Sequence, residues 1–253
     1  MSGHNKWSSI KHKKGAADAK RGKIFSRYGK EITLAAKQGG KDIDMNPRLR
    51  SAVSAAKAAN MPNDNIDRAI KKGCGELQGA ALEEIMYEGY APGGVGILVA
   101  CLTDNRNRTA SNIRNVFEKN NGRFATTGSV TRLFHRKARF VVSGPDLNED
   151  KLLELLLDAG ADVEDVNMLD GDAEIIAAHD AFALVAKTLE NAKIKVVEST
   201  ITMMPETLVE ARDESTARQG TRLIDILEED DDVQAVYTNL SVPDEIATKL
   251  AEA

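Results

Sequence analysis

A chain of 253 residues, 42% hydrophobic, 29% charged and only 4% aromatic, can bury a sizeable core and is neither fibrous nor disordered in composition. Its formal charge of −5 is unevenly spread: residues 1–75 carry 17 Lys or Arg against 6 Asp or Glu, net +11, and the rest carries 17 against 33, net −16. No run of about 18 apolar residues is present, so no segment can cross a bilayer as a helix.

The opening "MSGHNKW" is polar and runs into lysines without the apolar core of a secretory signal. Cys74 and Cys101 stand apart, with no CxxC spacing, which fits a reducing compartment. A cytoplasmic location is expected, with no membrane partner.

Taken in chain order, Ser2 to Lys14 has no apolar period and is expected to be a mobile arm in the absence of a partner. Residues 16–38 predict a helix ending at Gly39-Gly40, with Ala17, Ile24, Phe25, Tyr28, Ile32 and Ala35 as its core stripe. Lys20, Lys23, Arg27 and Lys30 then fall on a face turned away from that stripe. In "NPRLRSAVSAAKAAN", Asn46 predicts an N-cap before Pro47, and Leu49, Ala52, Val53 and Ala56 face inward. In "NDNIDRAIKKGCG", Asn63 is the expected cap, Ile66 and Ile70 face inward, and Gly73 is the stop. The three make a basic helical bundle over residues 1–78.

"IMYEGYA" and "GILVACLTD" predict two strands joined by "PGGVG", followed by a helix in "RTASNIRNVFEKN" that ends at Asn120-Asn121-Gly122. From Arg132 the pattern is strand, helix, strand, strand, helix, strand, the split βαβ order of a ferredoxin-like fold. A last helix with Leu223, Ile226 and Leu227 inward, and the strand "VQAVYTNL", cannot form a domain alone. They are expected to return to the strands begun near residue 82. The expected fold class is α+β: a three-helix bundle, then two ferredoxin-like α/β sandwich domains, with residues 132–203 inserted between 79–131 and 204–241.

The basic end points to phosphate. The candidate nucleic-acid-binding residues are Lys6, Trp7, Lys11, His12, Lys13, Lys14, Lys20, Arg21, Lys23, Arg27, Lys30, Arg48, Arg50, Arg68, Lys71 and Lys72, with Trp7 free to stack on a base. About eight phosphate contacts would give a log-log salt slope of roughly −6 to −7. Arg106, Arg108, Arg132, Arg136, Lys137 and Arg139 form a secondary basic set, read equally well as auxiliary phosphate contacts or as solvated charge. The cations are spread over arm and first helix, which favours backbone positioning over base reading and leaves DNA and RNA both open.

Catalytic and cofactor signals are weak. "PGGVG" has Val99 where a third fingerprint glycine would fall and joins two strands, so it is read as a turn. His4, His12, His135 and His179 show no ligand spacing, so no metal site is expected, and Asp180 beside His179 is read as a helix cap. The strands lack the paired aromatics of an RRM. The run Glu228 to Asp232 is read as solvated, or as a contact for a basic partner or for the protein's own basic arm. No enzyme activity and no cofactor are expected.

"GHNKWSSIKHKKGAADAKRGKIFSRYGKEI", "MNPRLRSAVSAAKAANMPNDNIDRAIKKG", "YEGYAPGGVGILVACLTDNRNRT" and "TTGSVTRLF" resemble, in order, the signature blocks of the YebC family. The resemblance covers nearly the whole chain and drifts most after Asp146. It implies a three-domain, cytoplasmic, non-catalytic protein. Bacterial members are labelled probable transcriptional regulators that bind DNA. Other members, mitochondrial relatives among them, are translation activators that relieve ribosome stalling at proline-rich stretches, which implies rRNA or tRNA contacts. The acidic domains would then face a protein partner or serve as scaffold.

Overall fold

The computed structural model describes residues 17–78, 81–144, 147–169 and 171–252, with side chains from Gly22 to Leu250. The chain divides into two compact units, one formed by the residues up to Thr131 together with Leu208 onward, the other by Arg132–Thr207.

The first unit begins with three helices, α1 (Ala17–Gly39), α2 (Pro47–Ala58) and α3 (Asn63–Gly73). Ile32, Ala35 and Ala36 of α1 pack with Leu49, Ala52, Val53 and Ala56 of α2 and Ile66 and Ala69 of α3, with Phe25, Tyr28 and Ile70 at the margin. Asn46 caps α2 as its spacing predicts: Oδ1 accepts from Leu49 N at 3.0 Å, and Nδ2 donates back to the carbonyls of Ala35 and Gly40. Two details differ from expectation. Pro62, and not Asn63, holds the cap position of α3, with no side-chain cap hydrogen bond, and Ile24 is 39% exposed.

Then follow β1 (Glu83–Ala91), β2 (Val95–Thr103), α4 (Arg106–Lys119) and β3 (Arg123–Ala125). Pro92–Gly94 form a tight 3-10 turn in which Gly93 and Gly94 take φ of 83° and 80°, the left-handed region that glycine enters without a Cβ clash. Later in the chain β8 (Val209–Glu210), α7 (Glu214–Glu228), β9 (Val233–Thr238), β10 (Leu240–Ser241) and α8 (Asp244–Glu252) return to this unit. The antiparallel sheet runs β3-β1-β2-β9, while β8 and β10 pair separately in parallel. Tyr87, Ile97 and Val99 meet Ile113 and Phe117 of α4 and Leu223, Ile224 and Leu227 of α7, forming a two-layer sandwich. Ile226 is only half-buried, and Ile224, one residue off the predicted stripe, takes the core position.

The second unit contains β4 (Phe134–Ser143), α5 (Glu149–Asp158), β5 (Val163–Met168), β6 (Asp172–Ala178), α6 (Phe182–Asn191) and β7 (Lys195–Pro205). Its four strands are all antiparallel in the order β5-β6-β4-β7, the ferredoxin-like arrangement that the element order implied. Ala138, Phe140 and Val142 alternate inward against Leu152, Leu156, Val185 and Leu189. Asp180 does not cap α6; it lies in the 3-10 turn His179–Ala181, and Ala181 holds the cap position without a side-chain bond.

Candidate nucleic-acid interface

The predicted cations divide into three sets. Lys6, Trp7, Lys11, His12, Lys13 and Lys14 lie outside the described residues, and Lys20 and Arg21 belong to α1 without described side chains.

A second set is committed to partners within the molecule. Lys23, Arg27, Lys30 and Leu34 follow one another at spacings of four, three and four, so they share one face of α1. That face was expected to point to solvent. Instead Leu34 packs with Leu82 and with Leu102 of β2, Lys30 Nζ reaches Asp232 Oδ1 at 2.7 Å and the Asp231 carbonyl at 2.8 Å, and Arg27 donates to the Glu228 carbonyl. The apolar contact carries the helix onto the sheet, and the acidic turn after α7 then lies within reach of its cations. Arg48 bridges Glu31 of α1 at 2.7 Å and Glu84 of β1 at 2.6 Å, and Arg50 donates to the carbonyls of Ile43 and Asp44. In the second unit Lys137 pairs with Glu164, and Arg139 pairs with Glu174 and Glu198.

The third set forms no ion pair with another described residue: Lys23 on α1, Arg68, Lys71 and Lys72 on α3, Arg106 at the start of α4, and Arg136 on β4. Arg68, Lys71, Lys72, Arg106 and Arg136 are exposed and Lys23 is half-buried; Arg132 is also exposed and carries a further contact. The C-terminal half of α3 therefore presents three cations to solvent, while its first turns carry the exposed acids Asp64 and Asp67.

Two carboxylates organise this unit, and neither belongs to the predicted set. Asp232 is 4% exposed and sits where α7 turns into β9. Besides Lys30 it accepts from Arg108 at 2.8 Å, Thr109 at 2.7 Å and Thr103 at 3.1 Å. Burial pushes its pKa up, but the Arg108, Lys30 and Thr109 donors together with the Lys30 charge hold it well below the usual carboxylate range. The acidic run is thus only partly a solvated face, and it contacts the basic helix. A pocket of about 430 Å³ beside it is lined by Ser26, Lys30, Lys72, Arg108, Asp230 and Asp231, among others.

Glu88, 2% exposed in the middle of β1, accepts from the backbone N–H groups of Gly128, Val130 and Thr131 and from the Thr131 hydroxyl at 2.6–3.0 Å. It thereby ties the "YEGYAPGG" strand to the "TTGSVT" loop. An acid between apolar strand positions was the signal for it in the sequence, as three consecutive aspartates before a strand were for Asp232.

Among the described residues no three His, Cys, Asp or Glu side chains converge as a metal cluster, and no helix is long and apolar enough to cross a membrane.

Comparison with known proteins decides the kinship. The model of the TACO1/YebC N-terminal domain matches residues 5–76, and that of the TACO1/YebC second and third domains matches residues 82–240. The chain belongs to the TACO1/YebC family. A relative from Syntrophobacter fumaroxidans is 52% identical over 251 residues, 99% of this chain and 100% of its own; one from Geobacter sulfurreducens is 52% identical over 250 residues, with the same two coverages. Both are named probable transcriptional regulatory proteins. Among solved structures, a conserved hypothetical protein from Aquifex aeolicus superposes with a TM-score of 0.79 at 44% identity, covering 90% of this chain and 93% of its own. The TACO1/YebC matches thus span both the helical head and the sandwiches.

Proposed function

We propose that the chain is a non-catalytic, cytoplasmic regulator of gene expression that grips nucleic acid through its basic helical head. The carrying observation is the exposed C-terminal half of α3, where Arg68, Lys71 and Lys72 stand without ion-pair partners among the described residues. Set against a body of net charge −16, such a head meets a polyanion first and orients the molecule toward it. The relatives' names support regulation of transcription, and DNA is the partner we propose for it. We retain a three-domain partition as part of this proposal: a head over 1–78, a discontinuous middle domain over 79–131 and 204–241, and the inserted domain 132–203.

One observation favours a second reading, a ribosome-associated translation factor contacting rRNA or tRNA. A helix that reads the major groove uses its first turns, and those of α3 set the acids Asp64 and Asp67, which repel phosphate, beside Asn63 and Asn65, with no Lys or Arg before Arg68. Cations confined to the last turns position a phosphate backbone of either polymer. Binding to purified ribosomes and to promoter DNA, measured side by side across a salt series, tests both. A preference for one DNA sequence by several kcal/mol supports transcription; tight ribosome binding beside weak, sequence-blind DNA binding supports translation. Absence of both refutes the proposal.

A further inference from the structure

The turn after α7 meets α1 with the same kind of groups that a nucleic-acid backbone would offer. The Glu228 carbonyl accepts from Arg27, and the Asp231 carbonyl and the Asp232 carboxylate accept from Lys30 at 2.8 and 2.7 Å. These are three oxygens in a short stretch of chain, facing two cations one helical turn apart. The turn is held in shape locally, since Asp230 Oδ1 accepts from the Asp232 N–H at 2.9 Å, and it is anchored to β2, where Leu102 N donates to the Asp232 carbonyl at 2.8 Å. Arg108, Thr103 and Thr109 fix the far oxygen of the Asp232 carboxylate. Lys30 keeps 21% of its side chain exposed and the pocket opens beside it, so an incoming anion can reach the ammonium group without moving α1.

The contact is also incomplete. Arg27 Nε is buried with no hydrogen-bond partner among the described residues, so the guanidinium pays part of its desolvation without return. A phosphate offers two oxygens that match the guanidinium fork in parallel, where a backbone carbonyl offers one. Arg27 is therefore better satisfied by a phosphate than by the partner it has.

We propose that Glu228–Asp232 is a built-in competitor that occupies Arg27 and Lys30 in the free protein and is displaced by nucleic-acid phosphate, an autoinhibitory contact that sets affinity. This rests on the nucleic-acid reading above and adds to it a regulatory element from the acidic body. Lys23 and the α3 cations make the first contact; Arg27 and Lys30 join once the phosphate has outcompeted the turn. Whatever neutralises or draws away the turn strengthens binding.

The test uses the full chain and anisotropy titrations of a labelled RNA hairpin and a labelled mixed-sequence DNA duplex, at low and at physiological salt. The proteins are wild type, Asp232→Asn, Lys30→Gln and the double variant. Asp232→Asn keeps shape and the acceptor for Thr109 while removing the charge that holds Lys30. The competitor predicts that it tightens binding by about tenfold, within the usual range of coupling between linked events, and that the gain disappears in the Lys30→Gln background. Should Asp232→Asn melt early, Asp231→Asn decides: that side chain is exposed, and a smaller gain in affinity is expected. Wild-type binding that neither variant improves overturns the competitor and leaves the nucleic-acid reading standing. No binding by any of the proteins at low salt overturns both.

Discussion

Glu88 illustrates how one side chain can hold a loop. Four donors converge on a carboxylate that β1 carries into the interior, and without them the buried charge would be untenable. Burial raises its pKa, but the donors from Gly128, Val130 and Thr131 outweigh it and leave the group below its ordinary 4.5. The folded state therefore releases this proton more readily than the unfolded chain, and the stability that results is present above about 4.5 and lost as pH falls through the folded value. Asp232, lowered from 3.8, acts in the same direction. Glu88→Gln sets an amide donor against N–H donors and should cost about 1–3 kcal/mol at neutral pH, read from the urea midpoint. The variant should also lose stability less steeply on acidification than wild type. The two cysteines give a second check at this scale. Burial, with Asp230 and Asp232 nearby, pushes the Cys101 thiol up to about 12, whereas Cys74 is exposed. An aromatic disulfide reagent should titrate one thiol in the native protein and two after denaturation.

At the scale of elements, α1 accounts for most of what was legible in the sequence and most of what was not. Its bounds, its packing against α2 and α3, and the Asn46 cap all follow from local signals: apolar spacing, a capping side chain and Pro47. The destination of its second face does not, because the partners Leu102 and Asp232 lie far along the chain and no local pattern records that contact. β3, β8 and β10 were missed because strands of two or three residues carry no period of their own, whereas α8 was missed although Ile246, Ala247 and Leu250 fall at helical spacing. The inserted unit was readable because each of its elements carries its own period. Gly73 was read only as a helix stop, yet a Cβ there would lie 2.3 Å from the Thr33 carbonyl and 2.8 Å from the Ala36 Cβ. Thr33 also donates its hydroxyl to the Ala69 carbonyl at 3.1 Å, so α1 and α3 meet closely along this seam. Gly73→Ala gains at most about 1 kcal/mol of helix propensity but must part the two helices, at about 1–3 kcal/mol. A net loss of thermal stability is expected, since the obstacle is backbone and cannot rotate away.

Across the whole molecule, the division into a basic head and an acidic body is written in the composition, and the family comparisons agree with the order of its blocks. What composition could not give was the state of each charge. Arg27, Lys30, Arg48 and Arg108 are occupied by partners within the molecule, and among the described residues of the head Lys23, Arg68, Lys71 and Lys72 are the predicted cations left without one. The central claim therefore rests on Lys23, Arg68, Lys71 and Lys72, and titration of RNA and DNA with wild type and with all four changed to Glu, over a range of salt, tests it most directly. Wild type should bind with a steep negative log-log salt slope, about 0.7–0.9 for each phosphate neutralised, and the variant should lose both affinity and slope. Equal affinity and slope in the two proteins, or no binding by wild type at low ionic strength, would contradict the account.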